Sequence, residues 1–415
     1  MLYPSRTDIP DHVPPGRIAD YDTFHVDAPD GDFAAAMVRL RNSGVPELFW
    51  TQRNGGHWVA TSGALVRHIL EHGETFSNRA MRVPKAANPA VPIIPLMIDP
   101  PDHAHYRRLL SRAMTPGEVK KLAVVARQLS ISLIEELEPK GQCEFVADFA
   151  QQMPIAVFMS MLDLPGEDRP VILAITDRII RPDVPETRLQ GFADLADYTM
   201  AKVLERRAAP GTDLISDLTR ASMGGRPLRD DELQGLMSVL MLAGLDTVAS
   251  MLTFITRFLA QSPAHRLDLR ARPQIMTEAI EEFLRRMAMV NLTRELVCDT
   301  ELGGVTLKQG DLIVAPTALA NFPNDGEDGE GGWLEVNFNR PRIVHATFGA
   351  GAHYCMGSSL ARAEIRIFLE EWLKRIPDFA IAEGAALEVR VGAAAMIPSL
   401  PLVWRPREIA EKKRQ

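Results

Sequence analysis

The feature that most constrains this chain's fold is an apolar stretch from Leu233 to Ala260, long enough to cross a bilayer. Asp246 sits near its middle and Arg257 near its end. An ionisable side chain at mid-bilayer is costly, so the stretch reads as one long helix buried inside a globular protein. Acidic Asp230, Asp231 and Glu232 suit its first turn. Burying such a helix on all sides needs a large core. With 415 residues, 46% of them hydrophobic and 24% charged, the chain can supply one and still enclose a ligand completely.

Around that helix the pattern is mostly helical, with strands gathered at the two ends of the chain. Leu48–Gln52 and Trp58–Thr61 read as short strands joined by the turn signal Asn54-Gly55-Gly56. A polar, arginine-rich helix is expected at Asp102–Met114. Thr115-Pro116-Gly117-Glu118 then reads as a capping box with proline at the first helical position. That helix should run to about Glu138, where Pro139 and Gly141 stop it. Further helices are expected at Pro154–Leu162, Pro170–Arg181, Leu189–Ala208, Pro273–Ala288 and Ser358–Arg375. Strands return at Arg294–Cys298, Val305–Leu307, Leu312–Ala315 and Leu400–Trp404, while Asn324–Gly332 is an acidic, glycine-rich loop. The expected class is mainly α, of the α+β kind, with a large α-rich lobe and a smaller β-rich lobe. Residues 1–20 read as a tail and residues 21–415 as a single domain.

A net charge of −8 argues against nucleic acid as a partner, because phosphate binding needs a basic surface. The three cysteines, Cys143, Cys298 and Cys355, form no CxxC pair, and so sparse a set fits a reducing cytoplasm. Met1 to Asp20 has no apolar run after a basic start, so no signal peptide or membrane anchor is expected. The expected protein is cytoplasmic and monomeric.

The strongest chemical signal is the run Phe348-Gly349-Ala350-Gly351-Ala352-His353-Tyr354-Cys355-Met356-Gly357, followed at once by a helix. Its glycines let the backbone turn tightly and approach a large flat ligand. Cys355 stands just ahead of a helix N-terminus, where free N–H groups and the dipole favour an anionic sulfur, a good soft metal ligand. A lone cysteine amid small residues is ordinarily packing; here several independent positions agree. A second signal, Ala243-Gly244-Leu245-Asp246-Thr247, puts an acid beside a hydroxyl inside the apolar helix. Glycine weakens a helix and a buried carboxylate needs a partner, so this is odd for plain core. Glu282 and Arg285, three apart, can pair on one helix face.

Together these stretches resemble the cytochrome P450 family, over essentially the whole chain. The cysteine run matches its haem-binding loop, and the resemblance extends to a soluble bacterial branch that includes camphor 5-monooxygenase. Asn54-Gly55-Gly56-His57-Trp58, Asp99-Pro100-Pro101, Gly244-Leu245-Asp246-Thr247-Val248 and Leu400-Pro401-Leu402-Val403-Trp404 are shared stretches. The resemblance implies haem b, with Cys355 as the iron ligand, Phe348 packed beside it and Gly357 completing the loop. Thiolate ligation favours O–O cleavage. His103, Arg107, Arg294 and His353 become partners of the haem propionates. Asp246 and Thr247 become a proton relay, with Arg181 a candidate partner for Asp246. Glu282, Arg285 and Arg340 become a buried network that holds the thiolate loop.

The same resemblance implies a monooxygenase that hydroxylates a small apolar molecule with O₂. Its electrons come from a 2Fe–2S ferredoxin and an FAD-containing NAD(P)H ferredoxin reductase. Arg107, Arg108, Arg112 and Arg362 form the basic patch that attracts the acidic donor. Pocket walls are expected from Val91, Ile93, Leu96, Val239, Leu242, Ala243, Val290, Ala393 and Ala394. Camphor-binding members hold the substrate ketone with a tyrosine just before Asp-Pro-Pro; Met81 to Ile98 contains no tyrosine, serine or threonine, and Val91 falls about where it would be. An apolar wall grips shape more than functional groups, which points to a terpenoid or norisoprenoid other than camphor. A haem-thiolate peroxygenase, an isomerase and a haem sensor are the alternatives; Asp246-Thr247 argues for O₂ activation.

Overall fold

The central apolar stretch is helical but broken. Asp230–Leu245 and Thr247–Gln261 meet at Asp246, whose φ of −106° departs from helical geometry. In the computed structural model, which describes residues 6–28, 31–89, 91–180, 184–322 and 332–406, this pair of helices runs through the interior. The side chains of Val248 to Thr256 are all buried, as the reading of a core helix requires. At its start, the Glu232 carboxylate accepts from the Arg229 N–H at 2.7 Å and from the Tyr106 hydroxyl at 2.6 Å.

Helices dominate the remainder. The helix Pro116–Leu137 opens on Thr115, whose hydroxyl accepts from the Glu118 N–H, as the sequence signal predicts. It packs against Ser358–Arg375, the helix that follows the cysteine run. Phe145, Phe149, Phe368 and Trp372, all buried, clasp that second helix, with ring centroids 5.1–5.7 Å apart. Each such ring contributes on the order of 1.5–3 kcal/mol through burial. A second apolar cluster joins Gln152–Met161, Arg169–Ile180 and Pro185–Ala208 to the first half of the central pair. Arg181 and residues 323–331, most of the expected acidic loop, lie outside the described residues.

The β-rich region is a five-stranded sheet in the order Leu48–Thr51, His57–Ala60, Leu312–Pro316, Asn291–Leu296, Phe76–Ser77. The turn between the first two puts Asn54, Gly55 and Gly56 at φ of 55°, 85° and 75°, the left-handed region those residues tolerate. Leu312–Pro316 runs parallel to His57–Ala60 and antiparallel to Asn291–Leu296, with Arg294 opposite Ile313 and Thr293 opposite Val314. The expected tail is not detached: Ile18 bridges to Trp50, and the Thr7 N–H reaches the Gln52 carbonyl at 3.0 Å.

Strands are not confined to the chain ends. Gln142–Glu144 pairs with Pro401–Trp404, and Ser222–Met223 with Arg226–Pro227. Both are two- or three-residue pieces made by their partners, too short to carry a period of their own. Helices Phe33–Asn42, Gly63–Glu71, Leu214–Arg220 and Pro263–Ala271 also exceed the sequence expectation.

Candidate functional site

The cysteine run is a tight loop closed on itself. The Cys355 N–H donates to the Phe348 carbonyl at 2.9 Å, and Gly349 N–H to the Ala346 carbonyl at 2.8 Å. Gly349 and Gly351 take φ of 75° and 66°. At Gly351 a Cβ would also lie 2.8 Å from the Leu70 carbonyl oxygen, so only glycine lets the loop rest on the helix Gly63–Glu71. Gly357 caps the helix Ser358–Arg375.

Cys355 is exposed by its surface area, yet the chain packed around its sulfur desolvates the thiol and pushes its pKa up. The Gly357 N–H and the Arg107 and Arg362 guanidiniums pull the other way without prevailing. The loop therefore favours the anion less than its sequence suggests; a coordinated metal deprotonates such a thiol outright.

Four basic groups converge beside this loop. His103, buried on the helix Asp102–Ser111, holds its ring centroid 4.1 Å from that of His353, the two planes tilted by 43°. Burial pushes the His353 pKa down to about 3, helped by His103, Arg294 and Arg107. The His353 Nε2 is buried without a hydrogen-bond partner. Arg294 is buried in its strand, donates to the Thr293 carbonyl at 2.9 Å, and has its pKa lowered by burial to about 10. Arg107, half-buried, donates to the Tyr354 carbonyl. Such a cluster repels itself and is matched only by an anion.

Two ion-pair systems brace the loop from behind. Glu282 is fully buried and accepts from Arg285 at 2.8 Å twice, from Arg340 at 3.1 Å and from the Asn337 N–H at 2.9 Å. Burial pushes the Glu282 carboxyl up, but the bonds from Arg285 and Arg340 outweigh it and hold it below the usual range. Glu282 and Arg285 come from one helix, and Arg340 reaches them from 55 to 58 residues further on. Asn321 carries this network to the loop: its amide donates to the Arg285 carbonyl and to Thr347, and its oxygen accepts from the Ala346 N–H at 2.7 Å.

The second system was not read from sequence. Glu281 accepts from Arg362 at 2.6 and 2.9 Å and from His345 at 3.1 Å. Burial raises its pKa, yet Arg362 and His345 prevail and hold it at about 2. Arg362 also lies 4.6 Å over the Phe348 ring. Of the four residues expected in a basic patch, Arg108 and Arg112 are exposed, Arg107 is half-buried, and Arg362 is half-buried and paired with Glu281.

The expected pocket walls fall into groups. Ile93 is buried and Val91 and Leu96 are half-buried. Their segment rides on the central helix at Gly235, where a Cβ would lie 2.5 Å from the Pro92 carbonyl oxygen. Val239 and Leu242 follow along that helix, half-buried against the cluster that holds Ile94. Val290 and Ala394 bridge each other. Ala393 lines a cleft with Asn291 and Thr293. The Ala243 side chain lies outside the described residues. Asp246 is buried and Thr247 half-buried at the break; among the described residues, a Cβ on Gly244 would meet Phe158 within 4 Å, at an ordinary contact distance of 3.7 Å.

Comparisons with known proteins agree with this geometry. A family model described as Cytochrome P450 matches residues 265–377, which hold the ion-pair network and the cysteine loop. The chain is 32% identical over 412 residues to a probable cytochrome P450 127A1 of Sinorhizobium fredii, covering 95% of this chain and 97% of that one. It is 31% identical over 400 residues to a steroid C26-monooxygenase of Mycobacterium tuberculosis, covering 92% and 97%. The crystal structure of CYP101J2 superposes with a TM-score of 0.87 at 36% identity, over 96% of this chain and all of that one. That of cytochrome P450 CYP101C1 gives 0.87 at 35% over the same share. The unpartnered His353 nitrogen, the basic cluster and the adjacent Cys355 sulfur fit haem b with its two propionates. The chain belongs to the cytochrome P450 family of haem b monooxygenases, which take a substrate, O₂ and electrons from redox partners.

Proposed function

We propose that Cys355 is the haem iron ligand and that the enzyme hydroxylates a small apolar terpenoid or norisoprenoid other than camphor. The observation that carries the reading is the placement of Cys355 ahead of Ser358–Arg375, in a loop whose flank gathers four basic groups around an unpartnered His353 nitrogen. When bound, haem activates O₂ and inserts one oxygen atom into a C–H bond.

The chain's own residues do the rest. The Gly357 N–H and the Arg107 and Arg362 charges stabilise the sulfur as an anion. His103, Arg107, Arg294 and His353 hold the propionates, and the Glu282 and Glu281 ion pairs fix the loop that presents the thiolate. At the helix break, Thr247 Oγ1 delivers a proton and the Asp246 carboxyl resupplies it. Val91, Ile93, Leu96, Val239, Leu242, Val290 and Ala394 are the apolar walls that position the substrate and exclude water. Electrons come from a 2Fe–2S ferredoxin served by an FAD-containing reductase, docking near exposed Arg108 and Arg112. We read residues 21–415 as a single catalytic domain of a cytoplasmic monomer.

The test is turnover of a terpenoid panel with ferredoxin, reductase and NADH, set against hydrogen peroxide alone, with spectral titrations for binding. Product that needs the electron chain supports the reading. Product formed equally with peroxide alone makes the enzyme a peroxygenase. A panel that leaves the ferric haem spectrum untouched removes the terpenoid assignment.

A further inference from the structure

Arg362 stands in the first turns of the helix Ser358–Arg375, directly behind Cys355. Its guanidinium lies 4.6 Å over the Phe348 ring, where the cysteine loop begins. Burial works against an anion at the Cys355 sulfur, and the Arg362 charge is one of the groups that work for it. The same guanidinium donates to both oxygens of Glu281, at 2.6 and 2.9 Å, and His345 meets that carboxylate at 3.1 Å. Burial pushes the Glu281 carboxyl up, yet Arg362 and His345 keep it ionised.

The pair therefore has a direction. Its positive end rests on the loop, because the guanidinium lies against Phe348, and its negative end belongs to the helix Met276–Arg286. The Arg362 and Glu281 side chains are 31% and 26% exposed, dry enough for their charges to act beyond the pair without being screened away by salt. A positive charge near a redox centre favours the reduced state, which carries one more electron, and a negative charge opposes it. Glu281 thus subtracts from what Arg362 adds. It also keeps the guanidinium over Phe348, where an unpaired arginine would turn its head to solvent.

We propose that Glu281 is a positioning residue for electron uptake: it holds Arg362 against the cysteine loop, offsets part of its charge, and so sets the reduction potential of the haem iron. The inference rests on the reading of Cys355 as the iron ligand and adds to it a carboxylate, on another helix, that governs the potential. A purely mechanical brace makes a different forecast. Glu281→Gln and Arg362→Gln weaken the same two hydrogen bonds, so a brace moves the potential the same way in both variants. Charge moves it in opposite ways.

The experiment is a dye-mediated redox titration of the haem-loaded wild type, Glu281→Gln, Arg362→Gln and the double variant, with the carbon monoxide spectrum of each. Glu281→Gln should raise the equilibrium constant for one-electron reduction about threefold, and Arg362→Gln should lower it about tenfold, or about 59 mV. The double variant, whose two amides form a neutral pair, should lie between the wild type and Arg362→Gln; it carries the comparison if Arg362→Gln does not retain haem. A Glu281→Gln potential at or below the wild type's overturns the proposal, as does an Arg362→Gln or double-variant potential at or above it. A wild type without the band of thiolate-bound haem overturns the proposal and the Cys355 reading together. A wild type with that band leaves the Cys355 reading standing, so potentials in the wrong order then count against Glu281 alone.

Discussion

Glu281 accepts two hydrogen bonds from the Arg362 guanidinium, at 2.6 and 2.9 Å, and so ties the helix Met276–Arg286 to the first turns of the helix behind Cys355. Arg362 in turn lies over Phe348, at the other end of the loop. The pair therefore grips the cysteine loop from both of its ends.

Replacing Glu281 by glutamine should loosen that grip. Both partners are partly screened, so the expected loss is about 1–2 kcal/mol, below that of a fully buried pair. Thermal unfolding and the rate at which haem transfers to apomyoglobin would both report it. A melting temperature and transfer rate equal to the wild type's would show that the pair does not hold the loop.

Glu282→Gln should be harsher, because it leaves Arg285 buried and uncompensated: about 3–5 kcal/mol, or failure to fold. Arg340→Lys keeps the charge but not the planar fork and should fall between the two. Urea denaturation midpoints in the order wild type, Arg340→Lys, Glu282→Gln are expected; a reversed order contradicts the network's role.

Much of this was legible in the chain itself. The run from Phe348 to Gly357 declares itself because its glycines, cysteine and following helix are local in sequence. Glu282 and Arg285 are legible for the same reason, being one helical turn apart. Glu281 was not, since a second acid beside Glu282 on an exposed-looking helix is ordinarily solvated, and its partner lies 81 residues away. Asn321 and Thr347 escaped similarly: a lone amide and a lone hydroxyl gain meaning only when Leu284 and Ala346 arrive between them. Gln142–Glu144 is a strand only because Pro401–Trp404 lies beside it.

Glu364 makes stability depend on pH. It is buried in the helix behind the cysteine, and burial pushes its carboxyl up to about 8 from the usual 4.5. The folded chain then keeps a proton that the unfolded chain has released, so this contribution is full below the usual pKa and is lost as pH rises toward 8. At about 1.4 kcal/mol per pKa unit the total is a few kcal/mol. Glu364→Gln should flatten the fall in melting temperature between about pH 5 and 8. Parallel melting profiles for variant and wild type would contradict it.

Thr247→Ala tests the proton relay at the helix break. Oxygen consumption should persist while product falls and hydrogen peroxide rises, because delivery of the proton, not binding of O₂, is impaired. Unchanged coupling of NADH use to product would remove Thr247 from that role.

The central claim is the bond between iron and Cys355, and the carbon monoxide spectrum of the dithionite-reduced protein tests it most directly. The wild type should show the red-shifted band of thiolate-bound haem, and Cys355→Ser should lose it. A wild type without that band, or a serine variant that keeps it, would contradict the account.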